Sequence, residues 1–440
     1  MAVEQKNAFI VLTPFKQLMR HPAQRSRLTF ELRSLWKLAW PILVGQIAYI
    51  GMSVVDVAMA GHASAQDLAG VSLGVSIWNM LVISMMGLLM AVNPVVAHQV
   101  GSGDLSQVPH VVRQALWKAL GVSLLAAAGA NLSVLLFEHM TLEPYVRELA
   151  TGFVRITSFS MPLYACYRVL YGYSTSINQT KPLMVIALLS LGLNIIVNSL
   201  LVFGTLGLPR LGGLGCAWAT VVTVGFNLLA LVWWMQRASP YRATWPLGHF
   251  EAPHWPQIKS LLKLGMPIGI TYFAEISAFS LIALLVAEFG SAQMAAHQIA
   301  LNFISLVFMV PLSLGLALLT RGGQSLGAGD PRLARYQAWV GVALALGLAV
   351  VSATLMALFS QQIARAYTND KAVITIAAQL LMLAAIFQLS DSTQVVASSA
   401  IRGYKVTRPP MVIHLTAFWL VSLPLGYVLG LAPAWMPWAP

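Results

Sequence analysis

Eleven apolar segments of membrane-spanning length follow one another along this 440-residue chain. A helix needs about 20 predominantly apolar residues to cross the hydrocarbon core of a bilayer. Segments of this length fall at residues 36–58, 70–97, 112–137, 148–170, 182–203, 213–235, 261–286, 294–319, 336–359, 375–400 and 409–430. They lack the alternation of barrel strands, and only helices or closed barrels satisfy their backbone in lipid. We therefore predict an all-α integral membrane protein with spans 1 to 11.

The distribution of charge supports this class and predicts the orientation. Charged residues make up only 9% of the chain, against about 25% in a typical soluble domain. The net charge of +12 comes from Lys and Arg between the spans, which is a topology pattern and not a nucleic-acid surface. With a cytoplasmic N-terminus, 21 of the 26 basic residues lie on the cytoplasmic side. We predict a multi-pass protein with its N-terminus in the cytoplasm and no nucleic-acid partner.

An internal repeat relates the two halves of the chain. Residues Ser34–Ile42 match Ser260–Ile268 at six of nine positions. Residues Thr180–Leu188 match Thr407–Leu415 at six of nine positions, with an offset only one position longer. The unit is therefore six helices long, and an even number of crossings gives both halves the same orientation. We predict two lobes related by a pseudo-twofold axis along the membrane normal, with substrate bound between them.

The repeat also predicts the organisation of the chain. It has a basic cytoplasmic N-terminal extension at residues 1–33, an N-terminal lobe at 34–235, a cytoplasmic inter-lobe loop at 236–259 and a C-terminal lobe at 260–440. Span 6 begins near Gly213, so its counterpart is expected near residue 440, where the chain ends. The expected architecture is a pair of six-helix lobes whose last helix is missing.

Three acidic residues lie inside predicted spans: Asp56 in span 1, Glu275 in span 7 and Asp391 in span 10. A charged side chain at the centre of a spanning helix costs about 2.5–3.5 kcal/mol, so such residues are functional candidates. None has an acidic counterpart in the other half. The functional interpretation is a site that takes up a proton or binds Na⁺ through oxygen. The alternatives are a structural hydrogen bond or, for Asp56, contact with interfacial water. We expect no Lys or Arg to accompany these carboxylates.

Neutral polar residues extend this set. Asn194 and Asn198 lie one turn apart in span 5, so their amides share one face, which points either to a cavity or to a neighbouring helix. The other candidates for a polar or aromatic cleft lining are Tyr49, Gln298, Asn302, Gln388 and Ser390.

The sequence contains no catalytic signature in a fitting context. HExxH, paired CxxC and Walker motifs are absent from it, and its GxSxG match, Gly70–Gly74, lies inside predicted span 2 and not on the strand-to-helix turn that a catalytic serine of this motif requires. A membrane-embedded enzyme is therefore a disfavoured alternative, no cofactor is expected, and ATP hydrolysis by the usual route is excluded. The energy for any transport would come from an ion gradient.

Several motifs resemble those of the multidrug and toxic compound extrusion (MATE) transporters, in particular the NorM-type branch. The resemblance runs from about Leu35 to Trp438. Its motifs are Val55–Gly61, Asn194–Asn198, Gly265–Ile268 leading to Glu275, Ala296–Asn302, and Gln388–Val396 continuing to Arg402–Lys405.

This resemblance implies twelve helices in two lobes around a central cleft. It also implies exchange of Na⁺ or H⁺ for amphiphilic, often cationic, drugs and dyes across a bacterial cytoplasmic membrane. In the NorM-type branch, residues matching Glu275 and Asp391 form the cation site, which binds Na⁺ where Na⁺ is the coupling ion. The residue matching Asp56 has been tied to coupling or drug binding. The default oligomeric state of such a carrier in membrane lipid is a monomer.

The chain departs from the branch one turn before Asp391, where Phe387 takes the place of a frequent tyrosine. Its ring permits a cation–π contact, but the hydroxyl ligand is lost, so the coupling ion stays open. The runner-up function is a lipid-linked oligosaccharide flippase of the same superfamily, which would carry basic residues in its cleft. Because the deep charges are expected to be acidic, a cationic cargo is favoured.

Overall fold

The computed structural model describes residues 22–140, 142–207 and 209–431, and these ranges are almost wholly helical. The first half contains α1 (Pro22–Ala63), α2 (Ala65–Leu89), α3 (Val92–Ser102), α4 (Gln107–Glu138), α5 (Pro144–Ser158), α6 (Met161–Ser176), α7 (Lys181–Phe203) and α8 (Gly213–Arg237). The second half contains α9 (Trp255–Ala287), α10 (Ser291–Gly327), α11 (Pro331–Leu358), α12 (Ser360–Tyr367), α13 (Lys371–Gly403), α14 (Arg408–Leu415) and α15 (Leu423–Leu431). The segment Thr416–Ser422 between α14 and α15 is π-helical. The predicted start of the missing helix lies outside the described residues.

Within the described ranges, ten helical segments are long and apolar enough to cross a membrane. Ten of the eleven predicted spans fall on them. Span 2, at residues 70–97, is divided between α2 and α3 at Met90 and Ala91, and the expectation of a single helix for span 4, at residues 148–170, is also wrong. This region consists of α5 and α6, which have 15 and 16 residues and are separated by Phe159 and Ser160. Pro162 near the start of α6 has no backbone N–H to continue the preceding helix. The two helices together replace one straight span.

The pseudo-twofold axis of the repeat is visible as a small apolar cluster. Ile42, Met90, Ile268 and Leu316 pack together, and each is at most 5% exposed. Ile42 and Ile268 are equivalent positions of the repeat, and so are Met90 and Leu316. Equivalent side chains from the two halves therefore meet in one place. This arrangement agrees with the two-lobed, all-α architecture predicted from the sequence.

A second symmetric contact joins α3 of the first half to α10 of the second. A Cβ atom on Gly101 would lie 1.9 Å from the carbonyl oxygen of Gln324. A Cβ atom on Gly327 would lie 2.0 Å from the carbonyl oxygen of His98. The two glycines are equivalent positions of the repeat, as are His98 and Gln324. The helix backbones therefore touch at both points, with room for hydrogen alone. We call the contacts at Gly101 and Gly327 the glycine crossing.

An ion pair links the two halves at the same end of the bundle. The buried carboxylate of Glu31 on α1 accepts hydrogen bonds from Nη2 and Nε of Arg321 on α10, at 2.7 and 3.2 Å. The amide of Gln337 on α11 donates to the same carboxylate at 3.3 Å. Because α1 begins at Pro22, Glu31 belongs to the long first helix, although it lies in the segment assigned to the N-terminal extension.

The inter-lobe loop is fastened to α4 through Glu251. The Glu251 carboxylate pairs with His110 and with Nε of Arg113, the latter at 2.5 Å. Its backbone carbonyl accepts from the indole N–H of Trp117 at 2.9 Å, and Gln114 donates to the carbonyl of Ala252 at 3.0 Å. Partial burial favours a higher pKa for Glu251, but these hydrogen bonds and positive charges outweigh it and lower the pKa below the ordinary value of 4.5.

Replacing Glu251 by Gln is expected to lower the stability of the protein by about 0.5–1 kcal/mol near neutral pH, a modest effect because the pair is partly exposed. A carboxyl group whose pKa is lowered by folding stabilises the protein above its unfolded pKa. That contribution is lost as the pH falls through the lower folded pKa. The melting temperatures of wild type and variant should therefore converge below pH 4.5. Glu138→Gln, at an exposed residue of α4, is the matched control, and equal effects of the two substitutions would contradict this role of Glu251.

Candidate functional site

Asp56 lies at the centre of a buried polar cluster between α1 and α7. Its Oδ1 atom accepts hydrogen bonds from the side-chain amides of Asn194 and Asn198, at 3.1 and 2.7 Å. All three side chains are buried, with exposures of 7% or less. The i and i+4 spacing of the two asparagines brings both amides to one carboxylate oxygen. Thr220 on α8 lies beside Asp56 in the cavity described next.

Asp56 opens into a cavity of about 110 Å³ within the first half of the chain. Aromatic rings form much of its wall, including Trp78 and Tyr164, which meet edge to face with ring centroids 6.2 Å apart. Tyr49, Phe153, Tyr167 and Tyr171 complete the aromatic lining. Such a wall offers large apolar faces and polar hydroxyl groups at once. The cavity therefore suits an amphiphilic molecule with a flat apolar part, and a larger cargo needs it to expand.

Arg168 also lines this cavity, which corrects the prediction that only acidic groups lie deep in the protein. It projects from α6, and its guanidinium group lies 4.7 Å from the centre of the Tyr171 ring. The expectation that Arg168 lies at the cytoplasmic surface depended on span 4 ending near residue 170. Because α6 continues to Ser176, Arg168 lies in the middle of a helix instead. The first-half cavity thus contains one carboxylate and one guanidinium group.

Glu275 and Asp391 form a second acidic locus in the other half, on α9 and α13. Their carboxyl groups lie within electrostatic range of each other, and Arg402 lies within range of Glu275. Arg402 is buried, and its Nη1 donates to the hydroxyl of Tyr272 at 3.3 Å. The expectation that no basic side chain accompanies these carboxylates is wrong here too. The reason is that Arg402 is still within α13, which ends at Gly403.

Polar residues of α13 surround Asp391 unequally. Gln388 is buried, and its amide donates to the hydroxyl of Ser392 at 3.1 Å, one turn further along the helix. Ser390 and Phe387 lie on the exposed side of α13, and the Phe387 side chain is 43% exposed. The helix therefore directs Gln388 and Asp391 into the protein interior, whereas Ser390 and Phe387 are exposed.

The two candidates on α10 make no hydrogen bond to either acidic group among the described residues. Gln298 is exposed. Asn302 is also exposed, and its Oδ1 accepts a hydrogen bond from the hydroxyl of Tyr367 on α12, at 2.9 Å. Of the predicted residues, the structure brings together Asp56, Tyr49, Asn194 and Asn198 in one place, and Glu275 with Asp391 and Gln388 in another.

The sequence contained a signal for the aromatic wall and for Arg168 that we did not use. Tyr164, Tyr167, Arg168 and Tyr171 are spaced by three or four residues, so they lie on one face of a helix. Four polar residues on one face of a spanning segment indicate a cavity more readily than contact with lipid. Assigning Arg168 to the membrane surface hid this pattern.

Both acidic loci contain amide oxygen atoms without a hydrogen-bond partner. The Oδ1 atoms of Asn194 and Asn198, beside Asp56, are buried and accept no hydrogen bond in the described part of the chain. The same holds for Oε1 of Gln388, one turn from Asp391. Carboxylate and amide oxygens are the ligands that hard cations prefer. Either locus therefore has chemistry that fits Na⁺, while a proton requires only the carboxylates. Among the described residues, no cluster of three His, Cys, Asp or Glu residues is arranged to hold a metal ion.

These observations define a two-lobed, multi-pass membrane protein of the carrier type, with an internal amphiphilic cavity and buried carboxylates. The MatE family model matches the chain twice, over residues 41–200 and 267–428. The starts of the two matches have the same offset as Ser34 and Ser260 of the internal repeat. The matches cover more than half of the chain, and the chain belongs to the MATE family.

Curated relatives agree with this assignment over most of their length. The multidrug resistance protein PmpM of Pseudomonas aeruginosa is 45% identical over 406 residues, which cover 92% of this chain and 85% of the relative. The probable multidrug resistance protein NorM of Chromobacterium violaceum is 41% identical over 413 residues, covering 93% and 88%. The resemblance to the NorM-type branch is thereby confirmed.

Solved structures of MATE transporters share the fold at lower sequence identity. The eukaryotic MATE transporter AtDTX14 superimposes with a TM-score of 0.83 at 18% identity, covering 91% of this chain and 89% of that one. The Vibrio cholerae MATE transporter VcmN in its bent form gives a TM-score of 0.80 at 18% identity, covering 91% of both chains. These similarities confirm the two-lobed all-helical architecture.

Proposed function

We propose that this multidrug efflux transporter works as an antiporter, which exchanges Na⁺ or H⁺ for amphiphilic, often cationic, compounds by alternating access. The single observation that carries the proposal is the pair of carboxylates Glu275 and Asp391, held within electrostatic range of each other inside the second half. Two like charges within electrostatic range of each other favour the binding of a cation or of a proton on one of them. An ion gradient can therefore change the charge of this locus and with it the preferred conformation.

Asp56 provides a second place where a cation and a cargo can compete. It lies in the wall of the amphiphilic cavity. Its carboxylate can therefore attract either a cationic drug or the coupling ion. In the proposed cycle, loading of the carboxylates from outside favours release of the drug to the outside. The energy comes from the gradient alone, with no cofactor and no catalytic group.

The proposed setting is the bacterial cytoplasmic membrane, with the N-terminus in the cytoplasm. The support is the excess of Lys and Arg on one side of the predicted topology. The expected partners are drugs and dyes together with membrane lipid, the expected unit is a monomer, and nucleic acid is not a partner.

Neutralising either carboxylate of the second half should abolish gradient-driven efflux. We expect Glu275→Gln and Asp391→Asn each to lower the efflux of a fluorescent lipophilic cation at least about tenfold, because the variant locus no longer responds to the gradient. A tenfold loss of rate corresponds to about 1.4 kcal/mol of activation free energy. The measurement is dye accumulation in bacteria that lack their own efflux pumps, with membrane abundance of each variant determined by immunoblot.

Glu138→Gln is the control, since Glu138 is an exposed residue at the end of α4. Efflux at the wild-type level in both Glu275→Gln and Asp391→Asn, with normal abundance, would refute the coupling role of this locus.

Arg168 in the cavity favours a second candidate function, a flippase for lipid-linked oligosaccharides, because a guanidinium group suits a pyrophosphate. A single cation in a cavity that also contains Asp56 gives weaker support than a cluster of basic residues would. Translocation of a lipid-linked pyrophosphate sugar in liposomes, without dye efflux, would favour this function over drug antiport.

A further inference from the structure

The first-half cavity has two charged residues of opposite sign in its wall. Among the described residues that line it, Asp56 is the only acidic one and Arg168 is the only basic one. Tyr49 lies within electrostatic range of both. The cavity is therefore electrically dipolar and not uniformly acidic.

The two charged groups are satisfied very differently. Asp56 accepts hydrogen bonds from two amides. Arg168 makes no ion pair and no hydrogen bond with any residue in the ranges that the structure describes. The nitrogens of Arg168 are also accessible. A nitrogen that was both fully buried and without a hydrogen-bond partner would count as a buried unsatisfied atom, and none of them does. The contact that holds its guanidinium group is the face of Tyr171.

An arginine held on an aromatic ring, with its five N–H donors free toward a cavity, is arranged to receive a planar anion. A carboxylate matches this fork with two parallel hydrogen bonds, and such charge-assisted bonds are strong when shielded from water. A structural arginine in the same place would be expected to pair with a carboxylate or with backbone carbonyls. Neither partner is present among the described residues.

We propose that Arg168 forms an anion subsite in this cavity, which binds the carboxylate of a cargo that carries a carboxylate as well as a cationic group. The cation of such a cargo lies toward Asp56, its carboxylate binds Arg168, and its flat apolar part packs between Trp78 and the tyrosines. This inference rests on the proposed drug transport and adds a specificity determinant to it.

The test compares one dye in two forms that differ only in the anion. The probes are a rhodamine with a free carboxylate, which is dipolar, and the methyl ester of the same dye, which is a simple cation. Wild type, Arg168→Gln and Arg168→Lys are reconstituted in liposomes, and the initial rate and KM are measured for both dyes. We expect Arg168→Gln to raise KM for the carboxylate dye about tenfold, equivalent to about 1.4 kcal/mol, and to leave the ester within about twofold. The KM of Arg168→Lys for the carboxylate dye should lie between those of wild type and Arg168→Gln, because lysine keeps the charge and loses the planar fork.

The outcomes separate the inference from the function on which it rests. If Arg168→Gln loses transport of both dyes equally, Arg168 only supports the tyrosine wall. If transport of both dyes is unchanged, Arg168 has no role in binding. Either result overturns the anion subsite. If the wild type transports neither dye under any gradient, the proposed function fails and not the subsite alone. Thermal unfolding of each variant in detergent shows whether it is folded.

Discussion

Replacing Glu31 by Ala is expected to destabilise the protein by about 3–5 kcal/mol, the usual cost of removing one partner of a buried ion pair. Glu31 is 3% exposed and holds Arg321 through two hydrogen bonds, with Gln337 as a third donor. Its loss leaves the Arg321 guanidinium group, whose side chain is only 19% exposed, without a counter-charge. Denaturant unfolding in mixed micelles, followed by tryptophan fluorescence, measures the effect.

The double variant Glu31→Ala/Arg321→Met distinguishes loss of the pair from loss of packing. Because it removes both charges, it should recover part of the stability that the single variant loses. Glu138→Ala, at an exposed residue without an ion pair among the described residues, should change stability by less than about 0.5 kcal/mol. A single Glu31 variant no less stable than this control would contradict the assignment of a stabilising link between the halves.

Replacing either glycine of the glycine crossing by alanine should strongly impair transport, because α3 and α10 then cannot pack together. In Gly101→Ala and Gly327→Ala, the new methyl group would meet a backbone carbonyl oxygen at 1.9 or 2.0 Å. Backbone cannot rotate away as a side chain can, so α3 and α10 must separate. The packed conformation becomes less favourable, and the population shifts to conformations in which this end of the bundle is open. We expect the transport rate to fall at least about tenfold.

Spin labels report this separation directly. Cysteines at Ser102 and Ala328, placed in a background without Cys166 and Cys216, allow the distance between α3 and α10 to be measured by pulsed electron paramagnetic resonance. Gly322→Ala is the control, since a Cβ atom at Gly322 of the same helix meets nothing within 4 Å. We expect a longer label distance in Gly327→Ala than in Gly322→Ala. The same distance in both, together with normal transport, would contradict the claim that transport requires close packing at the glycine crossing.

Much of the fold follows from the sequence because lipid imposes a simple rule on spanning segments. Apolar length predicted eleven spans, ten of which fall on candidate membrane-spanning helices of the described residues, and the repeat of Ser34–Ile42 at Ser260–Ile268 predicted the axis on which Ile42 and Ile268 meet. The break of span 4 was missed, since average hydropathy is insensitive to one proline and a short turn. That miss also misplaced Arg168, whose true position depends on where α6 ends.

The candidate site was predictable in its residue types but not in its grouping. The i and i+4 spacing showed that Asn194 and Asn198 share a face, but not that this face meets Asp56. That contact depends on the packing of α7 against α1, two helices that lie far apart along the chain. Similarly, the sequence singled out Gln298 and Asn302 as polar, whereas tertiary contacts place Asn302 against Tyr367. The boundaries of the lobes and the roles of the carboxylates stay predictions.

The central claim is that an ion gradient drives export through the carboxylates. It is tested most directly with purified protein in liposomes, loaded with a fluorescent lipophilic cation and exposed to an inward Na⁺ gradient or an inward proton gradient in turn. We predict dye efflux that depends on one of the two gradients and is absent in Glu275→Gln. Efflux that is equally fast without any gradient, or that persists unchanged in Glu275→Gln, would contradict coupled antiport.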